Sequence, residues 1–416
     1  MTPLSGDHPP VSAAWREVDP VGHRQFADLG PLTCELGGSL PSVRVAYETW
    51  GQLAPDSSNA ILILHALTGD SHVVGPADAG HPTAGWWQDS IGPGAALDTD
   101  RWFVVAPNVL GGCQGSTGPS SLHPDGRAYG SRFPRVTVAD QVEVEARLAD
   151  LLGIHQWAAV IGGSMGAMRA LEWLVGRPER VARGLVVAVG ACATGDQIGT
   201  QTTQIRAITD DPHYNGGDYY DADEGPWRGM ALARRIAHLT YRTEQELAVR
   251  FGSDAQDGED PLGDGRYAVQ SYLDHQADKL AVRFDAGTYV SLTDVMTTWD
   301  LGRGRGGTAR ALATITAPVI VAGIDSDRLY PLYLQRELAE GISTTVGDLR
   351  IITSDFGHDA FLVEREQVFP LVRELLAIDE GRAPLARPEQ DLTNSALHRV
   401  ATGERRVDAA QFLYEQ

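Results

Sequence analysis

The chain has 416 residues, enough to bury a large core without disulfides, and its three cysteines, Cys34, Cys113 and Cys192, fit neither a disulfide framework nor a C-x-x-C metal site. Its 55 acidic against 34 basic residues give a formal charge of −21, which argues against nucleic acid or an anionic membrane as partner. No apolar run approaches the roughly 18 residues of a membrane span. Residues 1–18 lack the pattern of a secretory signal, and the few scattered thiols fit a reducing cytoplasm.

In chain order, short apolar runs alternate with helical patterns. Strands are expected at 43–50, 60–66, 102–107, 157–163, 184–190, 318–323 and 349–353. Several are continuously apolar, as parallel strands covered on both faces should be. A helix is expected over 138–152, with Thr137 as its cap, and another over 165–175, closed by Gly176 and Pro178. The alternation predicts an α/β fold with a mainly parallel central sheet. The rhythm breaks over 193–314, where helical patterns at 201–209, 229–239, 243–251 and 270–284 suggest an inserted, mostly helical lid domain. The expected organisation is a core from 1–192 and 315–380, the lid at 193–314, and a polar tail at 381–416 with short helices at 395–400 and 409–414.

The most informative stretch is Gly162-Gly163-Ser164-Met165-Gly166, a G-x-S-x-G sequence between an apolar run and a helix. Such a turn is sharp enough to strain the serine and crowd its neighbours, which is why glycines flank it. A serine hydroxyl needs a base to take its proton and an acid to orient that base. In α/β-hydrolase folds the chain order is serine, acid, histidine. Asp325 and Asp327 both follow the strand at 318–323, and spacing gives neither an advantage. His358 follows the strand at 349–353. The expected oxyanion donors are the backbone N–H groups of Leu67, after the strand at 60–66, and Met165, after the nucleophile.

Other candidates carry less. His65 and His72 have no third ligand nearby, and His65 reads better as a structural histidine; no metal site is expected. Residues 111–118 are glycine-rich without the lysine of a phosphate loop, and read as a tight active-site loop or an ordinary surface turn. Arg303 and Arg305 fit a loop returning the lid to the core better than an anion site. Residues 254–264 read as a solvated lid loop, since no closing glutamate completes a calcium loop.

Taken together, several motifs resemble the homoserine O-acetyltransferase family of methionine biosynthesis, within the α/β-hydrolase superfamily. They are Ala46-Tyr-Glu-Thr-Trp-Gly51, His65-Ala-Leu-Thr-Gly-Asp-Ser-His72, Asn108-Val-Leu-Gly-Gly-Cys-Gln-Gly-Ser-Thr-Gly-Pro119, the G-x-S-x-G stretch, Leu239-Thr-Tyr-Arg242, Asp300-Leu-Gly-Arg-Gly-Arg-Gly306, Asp327-Arg-Leu-Tyr-Pro331 and Gly357-His-Asp-Ala-Phe-Leu362. The resemblance implies Asp327 rather than Asp325 as the acid, giving a triad of Ser164, Asp327 and His358. It implies that Asp359 holds the amino-acid substrate, that Arg234 lines the substrate tunnel and that Tyr241 lies beside it. It implies ping-pong acetyl transfer from acetyl-CoA to L-homoserine, with no bound cofactor, in a homodimer joined through the lid helices. Ala167 stands where the family usually has glycine, and His213-Tyr214 where relatives often carry a tryptophan; the lid near Trp227 also looks individual. Succinyl-CoA as donor, serine as acceptor, an esterase using the same triad, and a non-catalytic binding protein are the alternatives.

Overall fold

The computed structural model describes residues 9–378. The tail at 381–416, with its expected short helices, lies outside the described residues. Eight strands form one sheet: β1 (Gln25–Asp28), β2 (Arg44–Trp50), β3 (Ala60–Leu64), β4 (Phe103–Pro107), β5 (Ala159–Gly163), β6 (Gly184–Val187), β7 (Val319–Ile324) and β8 (Arg350–Ile352). Their spatial order is β1-β2-β4-β3-β5-β6-β7-β8. β2 runs antiparallel to β1 and β4, and the other neighbours pair in parallel.

The continuous apolar runs have a direct cause. In β3, Ala60, Leu62 and Leu64 face one hydrophobic layer while Ile61 and Ile63 face the other. Both faces are covered, so no position alternates to solvent. On the first face pack α1 (Val138–Leu151) and α2 (Met165–Gly176), through Val142, Leu148, Met168 and Leu171. Thr137 caps α1 in a reciprocal box with Asp140.

Between β6 and β7 come α3 (Gly195–Thr209), α4 (Trp227–Tyr241), α5 (Glu244–Phe251), α6 (Ala268–Ala281), α7 (Ala286–Thr297) and α8 (Thr308–Leu312). The helix expected at 201–209 starts earlier, because Thr194 and Gln197 form a second capping box. The expected helix over 270–284 is corrected: α6 stops at Ala281, and Asp285 caps the separate α7. After β7 comes α9 (Leu332–Gly341), and after β8 come α10 (Ala360–Val363) and α11 (Arg365–Leu376). Val368, Val372 and Leu375 of α11 close the second face of the sheet. Strands β5, β7 and β8 therefore end at one edge, below the helical segment.

Candidate active site

Ser164 sits between β5 and α2 with φ +55° and ψ −127°, a conformation that non-glycine residues rarely adopt. The glycines make that turn possible by close approach. A Cβ on Gly166 would lie 2.0 Å from the Leu64 carbonyl oxygen, and one on Gly162 would lie 2.3 Å from that of Gly166. The Ser164 Oγ lies 2.8 Å from His358 Nε2, and His358 Nδ1 lies 2.6 Å from Asp327 Oδ2. All three residues are buried. The other carboxylate oxygen of Asp327 accepts the N–H groups of Leu329 and Tyr330, at 2.8 and 2.9 Å. Those bonds fix the carboxylate before it meets the imidazole.

Spacing left Asp325 and Asp327 unresolved; exposure and direction separate them. Asp325 is exposed and accepts the Ser354 N–H, whereas Asp327 is buried against His358. Burial by itself lowers the pKa of His358, but the Asp327 carboxylate outweighs it and raises the value above normal. Tyr330 stacks on the imidazole at 5.2 Å, and Phe361 meets it edge-on at 5.7 Å.

Leu67 lies in the loop after β3, and Met165 opens α2. Among the described residues neither N–H donates a hydrogen bond, and Met165 directly follows Ser164. The loop is held from behind. His65 Nε2 accepts the Val109 N–H at 3.0 Å, and its Nδ1 lies 2.7 Å from the Ala66 oxygen. Burial, helped by the nearby Arg169, pushes the His65 pKa down to about 3, so the ring is neutral and structural. Arg169 donates to the His65 oxygen and to Glu145, which also accepts from Trp173 Nε1. The sequence reading passed over Arg169 and Glu145. The available signal was one arginine inside the apolar helix Met-Gly-Ala-Met-Arg-Ala-Leu, which cannot be buried unpaired.

A cavity of about 260 Å³ has Ala66, Thr68, Arg234 and Leu362 in its walls and no residue of the triad. The Arg234 guanidinium lies 5.8 Å from the Tyr241 ring, which is 5.9 Å from the ring of His358. Its Nε and Nη1 are buried without a partner. Asp359 is instead turned toward Arg242, with Oδ2 3.3 Å from Nε. Gly357 permits this approach: its φ is +62°, and a Cβ there would lie 2.3 Å from the Tyr241 oxygen.

Residues 111–118 are mostly buried, and Gln114 donates to the Arg283 carbonyl between α6 and α7. This corrects the surface-turn alternative. Arg305 pairs with Glu172 of α2, which anchors the returning loop to the core. Among the described residues one cluster reaches metal-ligand range: Glu48, His72 and His81. The two imidazoles lie stacked, 3.9 Å apart and 12° from parallel, so their in-plane lone pairs run side by side rather than converging. His81 Nε2 already accepts the His23 N–H. The cluster fits a proton better than a metal ion.

The profile of the alpha/beta hydrolase fold matches residues 59–365. A homoserine O-acetyltransferase of Thermobifida fusca (strain YX) is 60% identical over 370 residues, covering 88% of this chain and 97% of its own length. The crystal structure of homoserine O-acetyltransferase from Bacillus anthracis matches with a TM-score of 0.78 at 26% identity, over 88% of this chain and 99% of that one. A crystal structure of an esterase matches with a TM-score of 0.77 at 28% identity, over 85% of this chain and 99% of its own. The chain belongs to the homoserine O-acetyltransferase family of the α/β-hydrolase superfamily.

Proposed function

We propose that this protein moves an acetyl group from acetyl-CoA to the hydroxyl of L-homoserine, through an ester on Ser164, in methionine biosynthesis. His358 takes the Ser164 proton, and Oγ attacks the thioester carbon. The N–H groups of Leu67 and Met165 receive the negative charge on the carbonyl oxygen. The C–S bond breaks, and His358 returns the proton to the departing thiolate. Homoserine then enters, gives its hydroxyl proton to His358, and attacks the acyl carbon. The serine leaves and recovers that proton. Asp327 keeps the imidazole in the tautomer that can accept at Nε2.

The acceptor is a zwitterion. A guanidinium such as Arg234, with unpartnered N–H groups beside the triad, suits its carboxylate. Asp359 suits its ammonium and would exchange Arg242 for it. Tyr241 closes the wall between Arg234 and His358. The helices between β6 and β7 exclude water, which would otherwise hydrolyse the acyl-enzyme. A homodimer and a cytoplasmic setting belong to the same reading. Exposed Ile198, Leu232, Leu239 and Val249 on α3 to α5 supply apolar surface for a second copy, and light scattering at the mass of one chain would exclude the dimer. Among the described residues no helix is long and apolar enough to cross a membrane.

The 60% identity to a homoserine O-acetyltransferase carries this reading. A matrix of acetyl-CoA and succinyl-CoA against homoserine, serine and water tests it. CoA release should depend on homoserine, and intact-mass spectrometry without acceptor should find one acetyl group on the chain. Release at the same rate into water alone would instead make the protein an esterase, the activity named for one of its structural neighbours.

A further inference from the structure

The cavity that Arg234 lines, with Tyr241 between that guanidinium and His358, holds more positive charge than an amino acid requires. Its walls carry three cations, Arg234, Lys279 and Arg283, and one carboxylate, Asp70. In a chain with 55 acidic residues against 34 basic ones, most basic side chains can find an acid. Among the described residues, none of these three has a carboxylate within ion-pair distance. Arg283 donates only to the Thr68 carbonyl, at 2.7 Å. Burial and the nearby Arg234 hold its guanidinium below its ordinary pKa, against the pull of Asp70. Lys279 stands exposed at the rim, in the last turn of α6. A lysine there also offsets the helix dipole, but that leaves the two arginines unexplained.

One carboxylate uses one guanidinium. If Arg234 takes the carboxylate of the acceptor, two cations remain along the way out past Thr68. Resting on the acyl-transfer reading, we propose that Lys279 and Arg283 receive the phosphates of the acyl donor's nucleotide end, while its thioester reaches Ser164. The chemistry fits the placement. A donor with a long arm ending in a polyanion needs charge away from the reacting carbon. A flexible ammonium at the rim suits a phosphate that need not be held in one orientation. Arg283 also braces the loop that carries Leu67, so donor binding and the oxyanion donor share one side chain.

Lys279→Gln tests this without disturbing that brace. The readout is the ratio of kcat/KM for acetyl-CoA to kcat/KM for acetyl-pantetheine, which has the same thioester and arm but no nucleotide. The ratio should fall roughly tenfold, the scale of one charge-assisted contact, and Lys279→Arg should restore most of it. An unchanged ratio, or an equal loss on both thioesters, overturns the proposal. Calorimetric titration of the wild-type chain with CoA and with pantetheine provides an arm free of turnover. CoA should bind more tightly, and the difference should shrink in Lys279→Gln. Equal affinities overturn the phosphate landing. A chain that prefers CoA yet acetylates nothing would overturn the transfer reading and leave the landing standing.

Discussion

Among the described residues, two buried imidazole–carboxylate pairs lie within hydrogen-bond distance. His358 lies 2.6 Å from Asp327, and His72 lies 3.1 Å from Glu48. In both, burial lowers the histidine pKa and the carboxylate more than compensates, so both values are raised. They differ at the second ring nitrogen. His358 Nε2 meets a hydroxyl, which can give up its proton or take one. His72 Nε2 meets the carbonyl oxygen of Pro76, 3.2 Å away, which only accepts. His72 therefore faces an oxygen acceptor at each ring nitrogen, an arrangement that favours the protonated ring. One pair is built to pass a proton and the other to keep one. The raised pKa is common to both, so it does not identify the working pair; the partner at the far nitrogen does.

The most severe test of this contrast removes the hydroxyl. Ser164→Ala should lower turnover by roughly 10⁴–10⁶ while the folded chain persists. Steady-state assay and circular dichroism together check it. Near-normal turnover would take Ser164 out of the mechanism and make the two pairs equivalent.

Breaking the other pair should act on stability. Glu48 accepts from His72 and from Ser71 Oγ, so it is held from the loop that follows Leu67. His72→Gln leaves a buried carboxylate without its cation, at a cost of roughly 3–5 kcal/mol. Removing both charges with Glu48→Gln and His72→Gln should recover much of that loss, because neither group then needs a counter-ion. Urea unfolding of the two variants measures it. Equal destabilisation in the single and double variants would mean that the pair contributes packing rather than charge.

Part of this contrast was legible in the sequence. The G-x-S-x-G turn and the order serine, acid, histidine follow from local pattern, because the turn, the strand ends and their sequence order are coded in adjacent residues. Five of the six parallel strands were legible for a similar reason: burial on both faces leaves an unbroken apolar run, whereas the edge strand β8 carries Arg350 and an exposed Ile351. β1 was not, since Gln-Phe-Ala-Asp at an edge is too short and too exposed to show a period. α7 was also missed, because its sequence, rich in small, β-branched and apolar residues, is buried on most sides and shows little amphipathic stripe. Glu48 and His72 stand 24 residues apart on different elements, and no spacing rule joins them. The same holds for Arg169 with Glu145. The choice between Asp325 and Asp327 needed either the family motif or the sight of which carboxylate turns inward. Long-range charge pairing is a property of the folded chain, and the sequence records only that a charge sits in an apolar run.

The finest test uses pH, because the same raised pKa should act with opposite signs on two observables. Transfer requires neutral His358, so kcat/KM should rise with pH through an ionisation above the ordinary histidine value of about 6.5. Stability should go the other way. A histidine whose folded pKa exceeds its unfolded value contributes stability fully below about pH 6.5, and loses that contribution as pH rises through the folded value. Both pairs contribute to that loss, so wild-type stability should fall where activity climbs. His72→Gln separates them: its stability should depend less steeply on pH, while the midpoint of its activity profile stays with His358. The groups facing His72 are Glu48, Asp70 and the rings of His81 and His23. His81, pushed down to about 4 chiefly by burial, does not titrate in this window. Urea midpoints and kcat/KM measured between pH 5.5 and about 9 give both curves. If the activity midpoint moves with His72→Gln, the two imidazoles are coupled through the loop that carries Leu67, and proton keeping cannot be separated from proton passing.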